Sequence, residues 1–430
     1  MLMGGVNRRT HTCDYYRNHW HHRHKGFTST DGGTGQSIVK VTNLNSSGAG
    51  SLATAISAGN RLIVFEVGGT IDMGGTELLI DSVSNITIAG QTAPPPGIKI
   101  KGGYLRLYGC ADIIISHLDF FHGLVGSTGA DCIQTEGDSH DIIIDHCSTF
   151  WGRDETLTLS GYPSGGATIE DVRATVTRKA TVSSCVIAEG VTSQRGTIVD
   201  DCKSEIFLWG NYWANHNERG PAFKCHGTAV MANCFSYNIG THWVAVTQEP
   251  SYLYAFGFTT NPQPSGDLVM VGNVYRGGPD SGTPDAKLTT DRVPEHAGIF
   301  TTTNFYETDN VAHNYAGTAI TDDWIEGTAP YDGHEAVVVG SAPLWPTGFA
   351  AVSSAQVWDL IRNHSGARPW NRDAHVTRVL AHYTDLTGDI ISDPATVGGY
   401  GTYSSTSKTF VNADWDLTTM VPLRRKALVA

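Results

Sequence analysis

No run of about 18 apolar residues occurs anywhere in the chain, so it carries no helix able to span a membrane. The opening stretch, MLMGGVNRRTHTCDYYRNHW, lacks the apolar core of a secretory signal. The expectation is that a signal has been removed, or that the protein leaves its cell by another route, for example within a phage particle. CxxC pairs are missing as well. The eight cysteines, Cys13, Cys110, Cys132, Cys147, Cys185, Cys202, Cys225 and Cys234, stand apart. Most lie in apolar strand contexts such as DHCSTF and SSCVIA, which reads as buried small hydrophobes in preference to disulfides or metal ligands. Charge is scarce, 17% of residues, and its balance is negative, with a formal net charge of -13. A chain this acidic is a poor electrostatic match for nucleic acid or an anionic membrane. An anionic substrate would need a local basic patch, a bridging cation, or both.

What is present is glycine, 49 of 430 residues, together with many Thr, Val and Ile. That mixture suits strands and turns better than helices. Length alone suggests two or three domains, but repetitive all-β architectures run long as one unit. From about residue 36 short apolar strands follow one another between Gly, Asn, Asp and Ser turns. Two pairs are near copies. DIIISHLDFF and DIIIDHCSTF are offset by 29, aligning His117 with His146. LWGNYW and VMANCF are offset by 22, aligning Asn211 with Asn233, and VGNVY adds Asn273. Similar strands recurring at such intervals mark a solenoid, in which each turn of chain has an apolar face that only its neighbours can cover. The recurrent asparagines fit stacked coils whose side-chain amides bond to the next coil. The expected fold is all-β, a parallel β-helix; a β-sandwich would not produce near copies at these periods.

Open solenoid ends need caps. Ser51 can cap a short helix within residues 51–59, on which Leu52, Ala55 and Ile56 share a face, and this could close the first end. In SSAQVWDLIRNHSG, residues Val357, Leu360, Ile361 and His364 have helical spacing, so a helix there packs on the side or end of the solenoid. The expected organisation is a basic, His-rich arm over 1–30, a β-helix over 31–348, and a C-terminal helix with an extended tail over 349–430. The arm, with HTCDYYRNHWHHRHKG, reads as flexible or docked on the surface in preference to a metal site, because its spacing fits no closed site. The tail WDLTTMVPLRRKALVA has no assignment.

Some charged residues do not look like ordinary surface. TGADCIQTEG places Asp131 at the start of a strand, and FWGRDETLTLSG places Asp154 and Glu155 at the start of the next coil. Equal points on successive coils lie about 4.8 Å apart, so stacked carboxylates repel unless a cation sits among them. Calcium, with six to eight oxygens and flexible geometry, suits such a cluster; solvated turn acids are the plainer reading of any one of them. EGVTSQRG adds Glu189 and Arg195, and NHNERGPAFKCHG adds Arg219, Pro221 and Lys224. Pro221 fixes its own φ and restricts Gly220, which sets how the chain leaves Arg219. An acidic cluster faced by three cations suits a polyanion carrying carboxylates. Taken alone, RGPAFK is more often a turn with solvated cations.

Together these strings resemble the pectate lyases with a right-handed parallel β-helix. The likeness extends over about residues 31–400. It includes GGTG…VTNLNSSGAGSLATAI, IVFEVGGTI, ITIAGQTAPPPGI, IIIDHCSTFWGRDETLTLS, HNERGPAFK and GARPWNRDAHVTRVL…VGGY. The resemblance implies an extracellular lyase that cleaves polygalacturonate, an acidic polysaccharide, by β-elimination with Ca2+. It implies that Arg219 takes the C5 proton of the uronate, and that Asp131, with Asp154 or Glu155, binds calcium. Arg195 stands near the place of a family lysine and Lys224 near that of a second arginine, both toward the substrate; Thr158 replaces an acid sometimes found downstream. Arginine and lysine keep the charge but differ in geometry, so the polymer could be a different uronate. Two rivals remain. A glycosidase needs two carboxylates flanking the bond, for which VDDCKSE supplies Asp200 and Asp201 without a second acid motif. A binding or structural β-helix, carried on a virion, could keep the scaffold without the reaction.

Overall fold

In the computed structural model the chain winds as a parallel β-helix. The structure describes residues 24–161, 166, 168, 171, 174–200, 205–224, 227–241, 243–247, 266–282, 288–291, 303–320, 325–326, 336–401, 403–424 and 427–428. Among these, the strands form three long sheets of eleven, nine and ten strands and one small two-stranded sheet. Within each long sheet every third strand is a neighbour, so each coil gives one strand to each sheet. Within the long sheets the pairing is parallel, apart from Thr406–Ser407, which runs antiparallel to Val67 and Gly68 at one edge; the small sheet, Trp415–Asp416 with Val421–Pro422, is antiparallel.

The first sheet shows why this sequence stacks. Ser84–Ala89, Ala111–Ser116, His140–Asp145, Arg178–Ser183, Ile206–Trp209, Thr228–Ala232 and Asp267–Val271 lie side by side. Their register sets Ile88, Ile115, Ile144, Val182, Leu208, Met231 and Met270 level, and all are buried in the main core. A second row, Ile86, Ile113, Ile142, Ala180, Ile206, Ala229 and Leu268, runs beside it. Alternation along a strand sends these two positions inward. A slip of one residue would turn both rows outward, so burial holds the register.

The turn after this sheet repeats too. His117, His146, Ser184, Gly210, Asn233 and Gly272 all adopt left-handed φ, between 49° and 63°. His117 lies level with His146, because Ser116 pairs with Asp145. The asparagine alignment expected from sequence is one residue out. Trp209 pairs with Ala232, so Asn233 is level with Gly210, and Asn211 with Cys234. Asn273 falls in the Asn211 column, since Ala232 pairs with Val271. The amides do bond between coils: Asn211 Oδ1 accepts from Cys185 N at 2.9 Å, and Asn273 Oδ1 from Cys234 N at 2.9 Å. Asn233 bonds to the next coil as well, Nδ2 donating to Gly272 O at 3.2 Å, and it also takes the left-handed turn that Asn tolerates.

Cys110, Cys132, Cys147, Cys185 and Cys234 are buried and free, as small core residues. Cys13, Cys202 and Cys225 lie outside the described residues, as does the arm up to residue 23. Of that arm His24 packs against Phe207 and Phe349. The expected first helix is a single turn, Leu52–Ala55, capped by the Ser51 side chain. It gives Leu52, Ala55 and Ile56 to the main core.

The C-terminal region holds two helices where sequence suggested one. Val357–His364 forms as expected and buries Val357 and Ile361. Ala374–Asp385 follows, with Asp373 accepting from His375 N at 2.7 Å and with His375, Val376, Val379 and Leu380 buried. The spacing of those buried residues is an ordinary amphipathic signal. Both helices pack on the third sheet, in a cluster with Phe121, Phe150, Tyr212 and Phe235. The unassigned tail returns to the first coils: Phe410, Trp415 and Met420 pack on Leu62, Val64 and Ala89.

An ion pair on a buried carboxylate ties the second helix to the stack. Arg378 donates Nη1 to Glu189 Oε1 at 2.6 Å and Nη2 to Oε2 at 2.7 Å, and Trp151 Nε1 donates to the same carboxylate at 3.2 Å. Removing one partner leaves a buried charge uncompensated. Arg378→Ala is expected to cost roughly 3–5 kcal/mol of stability, read from denaturant unfolding. A change within experimental error would show that the pair does not hold the helix.

Candidate active site

The site forms where four coils enter the second long sheet, at strands Ile133–Glu136, Leu157–Ser160, Thr197–Asp200 and Ala222–Lys224. Ile133 pairs with Leu157, Leu157 with Thr197, and Ile198 with Ala222. Carried back into the preceding turns, this register sets Asp131, Glu155 and Arg195 level, one per coil; on the next coil it shifts by one residue, so that Glu218 stands beside Arg195 and Arg219 follows it. Their backbones are linked: Glu155 N donates to Asp131 Oδ1 at 2.8 Å, Thr156 N to Arg195 O at 3.1 Å, and Thr197 N to Arg219 O at 2.8 Å. Arg219 holds φ at +65°, and the Gly220–Pro221 peptide that follows is cis. An arginine in the left-handed region is uncommon and is worth attention at a functional site. Gly220 admits no side chain, since a Cβ there would sit 2.9 Å from Ile239.

The charges interlock. Arg219 Nη1 pairs with Glu155 Oε1. Arg195 donates Nη1 to Asp154 Oδ1 at 2.7 Å and Nε to Glu218 Oε1 at 2.6 Å, and its Nη1 lies 3.8 Å from Glu155 Oε1. Sequence reasoning missed Glu218, although it stands immediately before Arg219; its signal is the bridge that sets residue 218 beside Arg195. Asp131, Asp154, Glu155, Arg195 and Arg219 are therefore brought together. Lys224 is not in that row. It ends the strand on the same outward face, level with Asp200. Asp201, its partner in the hydrolase reading, lies outside the described residues. His216, close to Arg219 in sequence, is fully buried, with Nε2 3.0 Å from Ile187 O and Nδ1 accepting from Gly190 N at 3.2 Å. Burial lowers its pKa to about 4, so it stays neutral below the cleft.

No protein-family model matches the chain. A probable pectate lyase C from Aspergillus terreus is 28% identical over 385 residues, which covers 86% of this chain and 78% of that one. A solved structure described as giving insight into substrate specificity and the anti β-elimination mechanism of pectate lyase superposes with TM-score 0.53 at 16% identity, covering 82% of this chain and 100% of that one. A pectate lyase from Bacillus sp. N165, solved in complex with trigalacturonate, superposes with TM-score 0.50 at 15% identity, covering 78% of this chain and 95% of that one. At such identity the solved structures establish the shared β-helix, and the fungal relative carries the likeness through most of the sequence. Along most of its length the chain is similar to pectate lyases.

The site carries more acid than base. Four carboxylates, Asp131, Asp154, Glu155 and Glu218, face two guanidiniums, Arg195 and Arg219. The surplus matches one divalent cation, and an all-oxygen carboxylate set suits a hard one. Asp131 feels the deficit most. It is buried, and desolvation pushes its pKa well above the usual carboxylate range; Asp154 adds to the rise, while the Thr158 hydroxyl and Arg219 oppose it. Arg195 goes the other way: burial works against its charge, but Glu218 and Asp154 outweigh it and raise the pKa further. The oxygens of Asp131, Asp154 and Glu155 are turned to separate partners, two of them to the arginines.

A carboxyl whose pKa is raised by folding favours the native state while protonated, and that contribution is lost as pH rises through the ordinary value near ~3.9. Asp131→Asn keeps the acceptor for Glu155 N without the charge. In chelator-containing buffer it is expected to unfold at a higher temperature than wild type at neutral pH, with the gap closing below about pH 4. An equal or lower midpoint at neutral pH would contradict this account.

Proposed function

We propose that the protein cleaves polygalacturonate, or a closely related uronate polymer, by β-elimination at the Arg219 site. The observation that carries this reading is the meeting of Asp131, Glu155, Arg195 and Arg219 at equivalent turns of four successive coils, with Arg219 paired to Glu155. It puts a carboxylate wall and two guanidiniums within one stretch of an outward face, where a linear polyanion can lie across the strands. The similarity to the fungal relative, and the activity in its name, support the same reaction. A polymer of this size is met outside the cell, so the proposed place of action is extracellular. Among the described residues no helix is long and apolar enough to cross a membrane.

The chemistry follows from charge. The C5 proton lies α to a carboxylate and is only weakly acidic. Its removal builds enolate-like charge, which collapses to a C4–C5 double bond as the C4–O bond breaks and the leaving oxygen gains a proton. Asp131, Asp154 and Glu155 are proposed to hold Ca2+, which when bound supplies positive charge to the substrate carboxylate and to the charge developing on it. Arg195 orients the uronate carboxylate, and Lys224, farther along the same face, engages a neighbouring one. Arg219 is proposed as the group that takes the C5 proton. Guanidinium is ordinarily protonated at any working pH, and the Glu155 pair strengthens that preference. Arg219 therefore acts only when Glu155 has another partner, and turnover should increase toward alkaline pH.

Incubation with polygalacturonate at alkaline pH, with calcium or with chelator, is the direct test. Growth of the ultraviolet absorbance of the unsaturated product, dependent on calcium, is the expected result. New reducing ends without that absorbance would mean hydrolysis, and binding without products would mean a structural β-helix. Arg219→Ala and Arg219→Lys are each expected to lower turnover by about 10²–10⁴-fold with the fold intact; wild-type rates in either would remove Arg219 from the mechanism. Calcium is expected to raise the unfolding temperature of wild type but not of Asp131→Asn, by mass action on the native state. Equal shifts in both would move the ion elsewhere.

A further inference from the structure

The near-copied strands place two histidines on adjacent coils, away from the carboxylate–arginine site. His117 and His146 occupy the turn that leaves the first sheet, whereas Asp131 and its partners lie in the turn that enters the second. His117, His146 and the adjacent Asp145 are all buried. Both histidines hold left-handed φ in a column otherwise occupied by Ser184, Gly210, Asn233 and Gly272. Among the described residues, His117, Asp145 and His146 are the one group of three whose potential ligand atoms all lie within 4.8 Å of one another.

The hydrogen bonds prepare these atoms unequally. His117 Nδ1 is 2.7 Å from Ala367 O, so it carries the proton and donates it, which leaves Nε2 as a lone pair. A backbone carbonyl fixing the far nitrogen is the usual support for a metal-bound imidazole. His146 Nδ1 lies 2.9 Å from Asp145 Oδ1 yet makes no hydrogen bond, and it is shut off from water. Asp145 Oδ1 already accepts from Ser183 Oγ at 2.7 Å. This buried nitrogen, without a hydrogen bond, is an atom that the protein leaves unsatisfied beside a carboxylate. The rings of His117 and His146 are stacked at 4.8 Å with 24° between planes. A tetrahedral ion with bonds of ~2.0–2.1 Å needs ligand atoms roughly 3.3 Å apart. His117 is pinned by Ala367; the His146 ring must turn, and nothing bonds its Nδ1 in place.

We propose that His117, Asp145 and His146 form a binding site for a divalent transition metal of the zinc class, distinct from the carboxylate–arginine site. Two imidazoles and one carboxylate suit zinc-like ions, whereas calcium prefers oxygen alone. The segment that covers the site, Gly366 to Trp370, is held by Gly366 N on Ser184 O and Ala367 N on Ser148 Oγ, both 2.9 Å, and Trp370 lies 5.3 Å from His117. A metal here would bind two coils together beneath that segment, with water in the remaining position.

The test uses the full chain, stripped with chelator, desalted and titrated with Zn2+, beside His117→Asn and His146→Asn. Asparagine already occupies the same turn at Asn233, so both variants keep a residue suited to it. The other histidines bind equally in all three proteins and cancel. Wild type is expected to retain one more equivalent of zinc by elemental analysis after equilibrium dialysis, and to gain more in unfolding temperature. With Co2+ it is expected to show the intense visible absorption of tetrahedral coordination, displaced by one equivalent of Zn2+ and missing from the variants. Equal stoichiometry and equal spectra would overturn the proposal and leave a buried His–Asp ladder. Should both variants fail to fold, the cobalt spectrum of wild type decides, and absence of the tetrahedral absorption overturns it.

Discussion

Parallel pairing of coil on coil, locked in register, is the constraint on which the rest of this protein depends. Each strand finds partners for its backbone groups only in the coils on either side. The inward rows led by Ile86 and Ile88 then forbid a slip of one residue, because it would expose every coil at once. That lock is indifferent to chemistry, yet it decides the chemistry. Residues far apart in sequence become neighbours when they precede equivalent strands, and Asp131, Glu155, Arg195 and the adjoining Glu218 and Arg219 are brought together for that reason alone. The same repetition brings His117 level with His146.

The two outward features lie at different turns and differ in kind. At the entry to the second sheet the side chains are long and partly exposed, so acids and arginines can exchange partners: Glu155 and Asp154 are held by arginines. Asp131 cannot join that exchange. It is buried, and its oxygen is committed to Glu155 N, so its charge is the one the fold tolerates least. At the exit from the first sheet the groups are short and enclosed, and Ala367 and Trp370 cover them. The C-terminal helices have their own attachment through Glu189 and Arg378, set among the aromatic side chains of the third sheet.

Much of this was legible. The 29-residue copy aligned His117 with His146 correctly, because three consecutive isoleucines before each histidine preserve the strand and its phase. The strings around Asp131, Asp154, Glu155, Arg195 and Arg219 marked residues that the fold brings together, and the helix at 357–364 showed in its apolar spacing. Other features were misread or missed for physical reasons. Asn211 and Asn233 look alike in sequence and each bonds to a neighbouring coil, but they stand one position apart in the turn. The helix at 374–385 carried an Asp cap and an apolar stripe that went unread beside the family string containing them. Glu218 looked like the flank of an arginine, although it is that arginine's neighbour's partner.

By itself the sequence determined the solenoid, since strand period, turn chemistry and near copies are local and repeat often enough to reinforce one another. It also determined which residue types were available for charge chemistry. Only the tertiary structure decided who pairs with whom: that Arg219 meets Glu155 while Arg195 bridges Asp154 and Glu218, that Lys224 falls outside the row, and that the tail returns to the first coils. Those outcomes depend on register summed over several coils and on inserted turns of unequal length, where one residue more or less moves a side chain to another face.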